Sequence, residues 1–164
     1  MTAQQYEAWT RPLRRHPSLT KAVLCINKVL TALVYIAYPL LLLVLLLQND
    51  ARFLSVFLTP AISFVLVSVF RSRVNAPRPY EQLNIQPLIH KDTRGHSFPS
   101  RHVFSSAVIS CAFLSVSSVL GIALLVITAL LAVIRVLGGV HFPRDVIAGF
   151  CVGLLAGWIG FVLL

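Results

Sequence analysis

Residues 103–134 read VFSSAVISCAFLSVSSVLGIALLVITALLAVI, 32 residues without a charge. A straight helix rises about 1.5 Å per residue, so one helix of that length would run about 48 Å against a hydrocarbon core of about 30 Å. Two helices that turn back on each other fit that thickness. The turn is expected near Ser115 to Gly121, where Ser-Val-Ser-Ser and a glycine interrupt the aliphatics. This choice decides the topology. A hairpin returns the chain to the side it left, whereas one helix would send His102 and Arg135 to opposite compartments.

Working outward, Val29 to Leu47 and Phe53 to Phe70 are each long enough for one span, and Val146 to Leu164 makes the last. Ala22 to Lys28 extends the first helix, with Lys28 snorkelling its ammonium to the headgroups. The expectation is an all-α, polytopic membrane helix bundle of about five spans. It divides into a basic segment, residues 1–21, and a transmembrane domain, residues 22–164. Tyr6, Trp9, Arg11, Arg14 and Arg15 suit either an N-terminal interfacial helix or a disordered basic tail. Met1 to Lys21 is polar and basic, and no signal peptide is expected.

Composition agrees. Of 164 residues, 57% are hydrophobic and only 12% charged, against about 25% charged in soluble globular chains. The net charge of +9 points to an anionic partner. Nucleic acid is excluded as that partner: the charges flank apolar runs and no nucleic-acid-binding motif appears. A lipid bilayer and an anionic headgroup fit both facts. Cys25, Cys111 and Cys151 lie in apolar runs without metal-ligand spacing and read as small hydrophobes.

Three polar clusters mark the span edges: Arg71-x6-Arg78-Pro79, Phe98-Pro99-Ser100-Arg101-His102, and Arg135-x5-His141-x3-Asp145. The hairpin puts all three on one side. Arg71, Arg78 and Arg135 bring three guanidiniums, which bind phosphate in forked geometry and repel one another unless a multivalent anion sits between them. Ser97 reads as an N-cap and Pro99 as a first-turn residue, so the amides of Ser100, Arg101 and His102 would face an anion, with the Ser100 hydroxyl beside them. His141 and Asp145 are four apart around Pro143, so the carboxylate can fix the imidazole tautomer and free the other ring nitrogen for attack. His102 is the candidate general acid.

These residues resemble the type 2 phosphatidic acid phosphatase (PAP2) family, which shares its site with vanadium haloperoxidases. That family carries Lys-x6-Arg-Pro, then Pro-Ser-Gly-His, then Ser-Arg-x5-His-x3-Asp. The resemblance runs from Arg71 to Asp145 and makes residues 22–164 a PAP2-like phosphatase domain. It implies His141 as nucleophile, Asp145 as its partner and His102 as acid. It implies that Arg71, Arg78, Ser100 and Arg135 hold phosphate, and it implies no metal and no cofactor. Arg71 stands for lysine and keeps the charge. Arg101 stands for glycine, and its side chain must point away or add a phosphate contact. Ile134 stands for serine and loses a hydroxyl.

The expected function is metal-independent hydrolysis of a lipid phosphate or diphosphate, such as phosphatidic acid, phosphatidylglycerol phosphate or a polyprenyl diphosphate. Rivals are a phosphotransferase with the same histidine chemistry, an anion channel or transporter, and a haloperoxidase. Arg52, Arg73, Arg94 and Arg144 read as interfacial anchors, and His16, His90 and His96 as polar interface residues. Tyr80 reads as an interface residue, and Gly138 with Gly139 as a bend or a helix end. Five spans return the N-terminus to the site's side, where Arg11, Arg14, Arg15 and Lys21 vote for the cytoplasm; many members of the resembled family act on the outer face, and the side of the site stays open. The compact core suggests a bacterial cell membrane.

Overall fold

The computed structural model describes residues 1–163; Leu164, the last residue of the final expected span, lies outside them. All regular structure among the described residues is helical. α1 is Ala3–Arg15 and α2 Pro17–Leu47. α3 is Phe53–Val74, α4 the single turn Pro79–Gln82, and α5 Arg101–Leu114. α6 is Ser118–Leu137, and α7, Pro143–Trp158, continues as a π-helical turn over Ile159–Leu163.

Local sequence sets most boundaries. Thr2 and Gln5 form a capping box at α1, the Gln5 amide donating to Thr2 Oγ1 at 3.2 Å and the Thr2 amide to Gln5 Oε1 at 2.9 Å. Pro17 opens α2 and Pro143 opens α7, where the missing amide leaves no intrahelical bond unmade. Residues 17–21, at the end of the basic segment, therefore form the first turn of α2. The hairpin turns over Ser115–Ser117, and the Ser117 side chain caps α6 through the Leu120 amide.

Four helical stretches are long and apolar enough to cross a membrane, those of α2, α3, α6 and α7. α5 accompanies them as a shorter apolar helix, 14 residues or about 21 Å. It is also the hub: ten of its residues, among them Val103, Phe104, Val108 and Ala112, are buried. The outer helices invert the soluble pattern. α2 buries only Val34, Leu41 and Leu45, while Ile36, Leu40, Leu47, Leu54, Leu66 and Val126 stay exposed, as a lipid-facing surface requires.

What positions the site is the seam between α5 and α7. Gly149, Gly153 and Gly157 fall on one face of α7, four residues apart. A Cβ at Gly149 would stand 2.6 Å from the Ser100 carbonyl oxygen; one at Gly153 would stand 2.6 Å from Ala107 Cβ, and one at Gly157 2.3 Å from Cys111 Cβ. Only glycine lets the two backbones approach so closely, which is the small-residue packing that membrane helices use. On the other flank, Ser106 of α5 hydrogen-bonds Thr128 of α6 at 2.6 Å.

Candidate active site

At one end of the bundle a cavity of about 340 Å³ opens, walled by Arg71, Arg78, Arg101, His102 and His141 together with Lys91. Residues from all three sequence clusters meet there. Ser100 and Arg135 do not reach the wall. Both are buried, and each keeps an unpartnered polar atom, Ser100 Oγ and Arg135 Nε.

The histidine environment starts from α7. Pro143 opens that helix, so Asp145 sits in its first turn, where its Oδ2 accepts the Phe142 amide at 2.9 Å. The same oxygen accepts the Ser97 hydroxyl at 2.5 Å and lies 3.7 Å from His141 Nδ1. Ser97 Oγ is itself 3.4 Å from Nδ1, so hydroxyl and carboxylate together face that ring nitrogen. Nδ1 then carries the proton, and Nε2 is left as the free base. Burial is the main reason that the His141 pKa drops to about 4, the fields of Arg78 and Arg71 adding to it against the pull of Asp145. The ring is neutral at pH 7.

The sequence assigned Ser97 to the N-cap of the third span, and the structure corrects this. The helix begins at Arg101 with Ser100 at its cap, because the Ser97 hydroxyl is engaged by Asp145. The Ser100 amide, expected to face an anion, donates instead to the Asp145 carbonyl at 2.8 Å. The amides of Arg101 and His102, in the first turn of α5, have no intrahelical acceptor.

The arginines are anchored by backbone. Arg71 donates to the carbonyls of Pro99 and His96, with Ser97 at 3.4 Å. Arg78 donates to Gly95 at 2.9 Å, Val140 at 3.0 Å and His96 at 3.5 Å. Carbonyl dipoles orient these cations without neutralising them, so the charge remains available to an anion. Arg101, replacing the family's glycine, lies at the rim with its guanidinium 5.7 Å from the centre of the Phe64 ring.

Several site residues escaped the sequence reading. Lys91, in an irregular loop, lines the cavity, and its pKa falls to about 8, first through burial and then through the fields of Arg78, Arg135, Arg101 and Arg71. His96, read as a surface polar residue, also lines the cavity and turns Nδ1 to the Arg71 carbonyl at 3.1 Å. Glu81 accepts the amides of Arg78 at 2.7 Å and Gly95 at 2.9 Å, which fixes the loop; with arginine at the cap position, no capping-box signature marked it in the sequence. No pattern in the sequence marked Lys91.

α1 docks on the same end. Tyr6 is fully buried, donating to the Leu137 carbonyl and accepting the Leu88 amide, both at 3.2 Å. Gly139, at φ +73°, makes the bend before His141, and a Cβ there would stand 2.7 Å from the Tyr6 hydroxyl. An apolar groove of about 250 Å³ runs between α2, α3 and α5, lined by Tyr35, Phe57, Phe64 and Val108 among others. Tyr35 on its lining lies 6.3 Å from His102 on the cavity wall, ring centre to ring centre.

The model of the PAP2 superfamily matches residues 52–164. Among solved structures, LpxE of Aquifex aeolicus superposes with a TM-score of 0.75 at 24% identity, over 97% of this chain and 93% of that one. A transmembrane PAP2 type phosphatidylglycerolphosphate phosphatase from Bacillus subtilis superposes with a TM-score of 0.65 at 25% identity, over 96% of this chain and 83% of the other. No curated protein sequence matches.

Proposed function

The chain belongs to the PAP2 superfamily and is a membrane phosphatase of that type, and from that premise we propose that it hydrolyses a lipid phosphate or diphosphate through a phosphohistidine on His141. One observation carries the reading: His102 and His141, from distant segments, open on one arginine-walled cavity. A channel has no use for that pair.

In this reading the phosphoryl group lies between Arg71, Arg78 and Arg101, and Arg135 and Ser100, buried behind the wall, act as a further cation and an unpartnered hydroxyl beside it. Guanidiniums aimed at the equatorial oxygens stabilise charge as phosphorus becomes five-coordinate. His141 Nε2 attacks phosphorus. The bond from phosphorus to the lipid oxygen breaks, and His102 gives its proton to the leaving alkoxide or phosphate. Asp145, with Ser97 beside it, stabilises the positive charge that forms on the His141 ring. Water, losing its proton to His102, then attacks the phosphohistidine, which releases inorganic phosphate and frees the His141 nitrogen. No step calls for a metal ion. The acyl or prenyl chain stays in the apolar groove and the surrounding lipid.

The candidate substrates are phosphatidic acid, phosphatidylglycerol phosphate and polyprenyl diphosphates; the Bacillus subtilis relative is described as acting on the second. Inorganic phosphate should be measured from purified protein in neutral detergent with a chelator present, across that panel. Release from at least one member is expected, with an acid-labile phosphoryl label trapped on the protein. Release from none would overturn the proposal. Transfer to an added alcohol without release to water would make the protein a phosphotransferase.

A further inference from the structure

A second cavity, of about 530 Å³, lies between α1 and the loop at residues 84–86, apart from the one that holds the histidines. Arg11, Arg14 and Arg15 line it against a single acid, Glu7, with Ile85 and Gln86 on the loop side. Arg14 is fixed in place, its Nη2 donating to the Gln86 carbonyl and its Nε to Thr10 Oγ1 at 3.3 Å. Arg11 and Arg15 make no salt bridge among the described residues, and they stand one helical turn apart on the same wall. Like charges at that spacing weaken a helix, and an anion between them reverses the sign.

Its position says what kind of anion. α1 ends at Arg15 and Pro17 opens the helix that carries the first span, so the pocket lies at the end of the chain's first membrane helix that precedes its apolar stretch. Trp9 is exposed on α1, the amphipathic ring expected at headgroup depth. Ile85 is buried and gives the pocket an apolar flank. A soluble anion needs neither feature. The family match begins at residue 52, so the arginine wall lies outside it.

We propose that this pocket binds the headgroup phosphate of an anionic phospholipid that is not the substrate, docking α1 on the membrane surface. The grip extends into the fold, because the buried face of α1 carries Tyr6, whose hydroxyl joins Leu88 to Leu137.

The test is thermal unfolding of the full chain in a neutral detergent, titrated with dioleoyl phosphatidylglycerol, dioleoyl phosphatidylcholine or inorganic phosphate. At lipid in large excess over its Kd, the first should raise the midpoint by ~5 °C, and the other two should not. The shift should vanish in Arg11→Gln/Arg15→Gln and persist in Arg101→Gln, which tests binding at the other cavity. Both sites of the double substitution are exposed, and glutamine keeps the helix, so phosphatase activity in detergent should be unchanged and reports correct folding. A full shift in the double variant, or loss in Arg101→Gln alone, would place the lipid elsewhere. An equal shift with phosphatidylcholine or with inorganic phosphate would overturn the lipid assignment. None of these outcomes depends on the identity of the substrate.

Discussion

Two trios of arginines share one end of this molecule and are treated in opposite ways. Arg71, Arg78 and Arg135 are each no more than 6% exposed, and the first two are tied to backbone carbonyls of residues 95–99 and 140. Arg11, Arg14 and Arg15 are exposed on α1. Charge number is equal, yet solvent screens the second trio over about 8 Å at physiological salt and barely reaches the first. Burial is what suits the first trio to the proposed phosphate grip. The fold accepts that burial because carbonyls direct the cations while leaving their charge unmatched.

The largest test of this contrast is at His141, the proposed nucleophile, which shares its cavity with Arg71 and Arg78. His141→Ala should reduce phosphate release by a factor on the order of 10⁴ or more, as loss of a covalent nucleophile does, while the protein keeps its helical spectrum. Residual activity near wild type would mean that the buried cluster is structural only. Next comes Arg78→Gln beside Arg11→Gln. The first leaves the Gly95 and Val140 carbonyls without their charged donor, and should lower stability by about 2–4 kcal/mol and release by roughly 100-fold. The second should stay within about 0.5 kcal/mol of wild type in detergent. Equal effects would erase the distinction.

A smaller effect belongs to Ser97. Ser97→Ala removes the 2.5 Å hydrogen bond to Asp145 and the hydroxyl beside His141 Nδ1. A bond to a charged group is worth about 1.5–3 kcal/mol, so kcat should fall roughly 10- to 100-fold with KM little changed. If KM rises and kcat holds, Ser97 contacts the substrate and is not the residue that steadies Asp145.

Ser97 also shows where the sequence stops being legible. The hairpin could be read because length and a serine–glycine break are local facts, and the turn falls at Ser115–Ser117 inside the expected interval. The meeting of the three clusters followed from that one inference. A serine two residues before a proline, by contrast, carries an N-cap signature whatever its tertiary partner, and Asp145 lies 48 residues away. The backbone anchoring of Arg71 and Arg78 was hidden for the same reason: carbonyl acceptors have no residue type. Gly149, Gly153 and Gly157 could have been read as a packing face from their spacing alone, and with it the close approach of α5 to α7.

The smallest effects are in pH, and they arise at two groups on the wall of the buried cluster, His141 and Lys91. His141 is neutral down to about pH 4, so the acid limb of kcat/KM should fall near 4, where an unperturbed imidazole would give about 6.5. Between those two values the unfolded chain takes up a proton that the folded chain refuses. Stability should therefore decline as pH drops from about 6.5 to about 4 and be flat above. On the alkaline side, Lys91 loses its charge above about pH 8, since burial and four neighbouring guanidiniums disfavour the ammonium. Phosphate then meets one cation fewer, and KM should rise a few-fold between pH 7 and 9. Lys91→Met should start with the raised KM and show no further rise. If the alkaline rise in KM survives in Lys91→Met, another group titrates, and the buried cluster does not include the lysine as a phosphate contact.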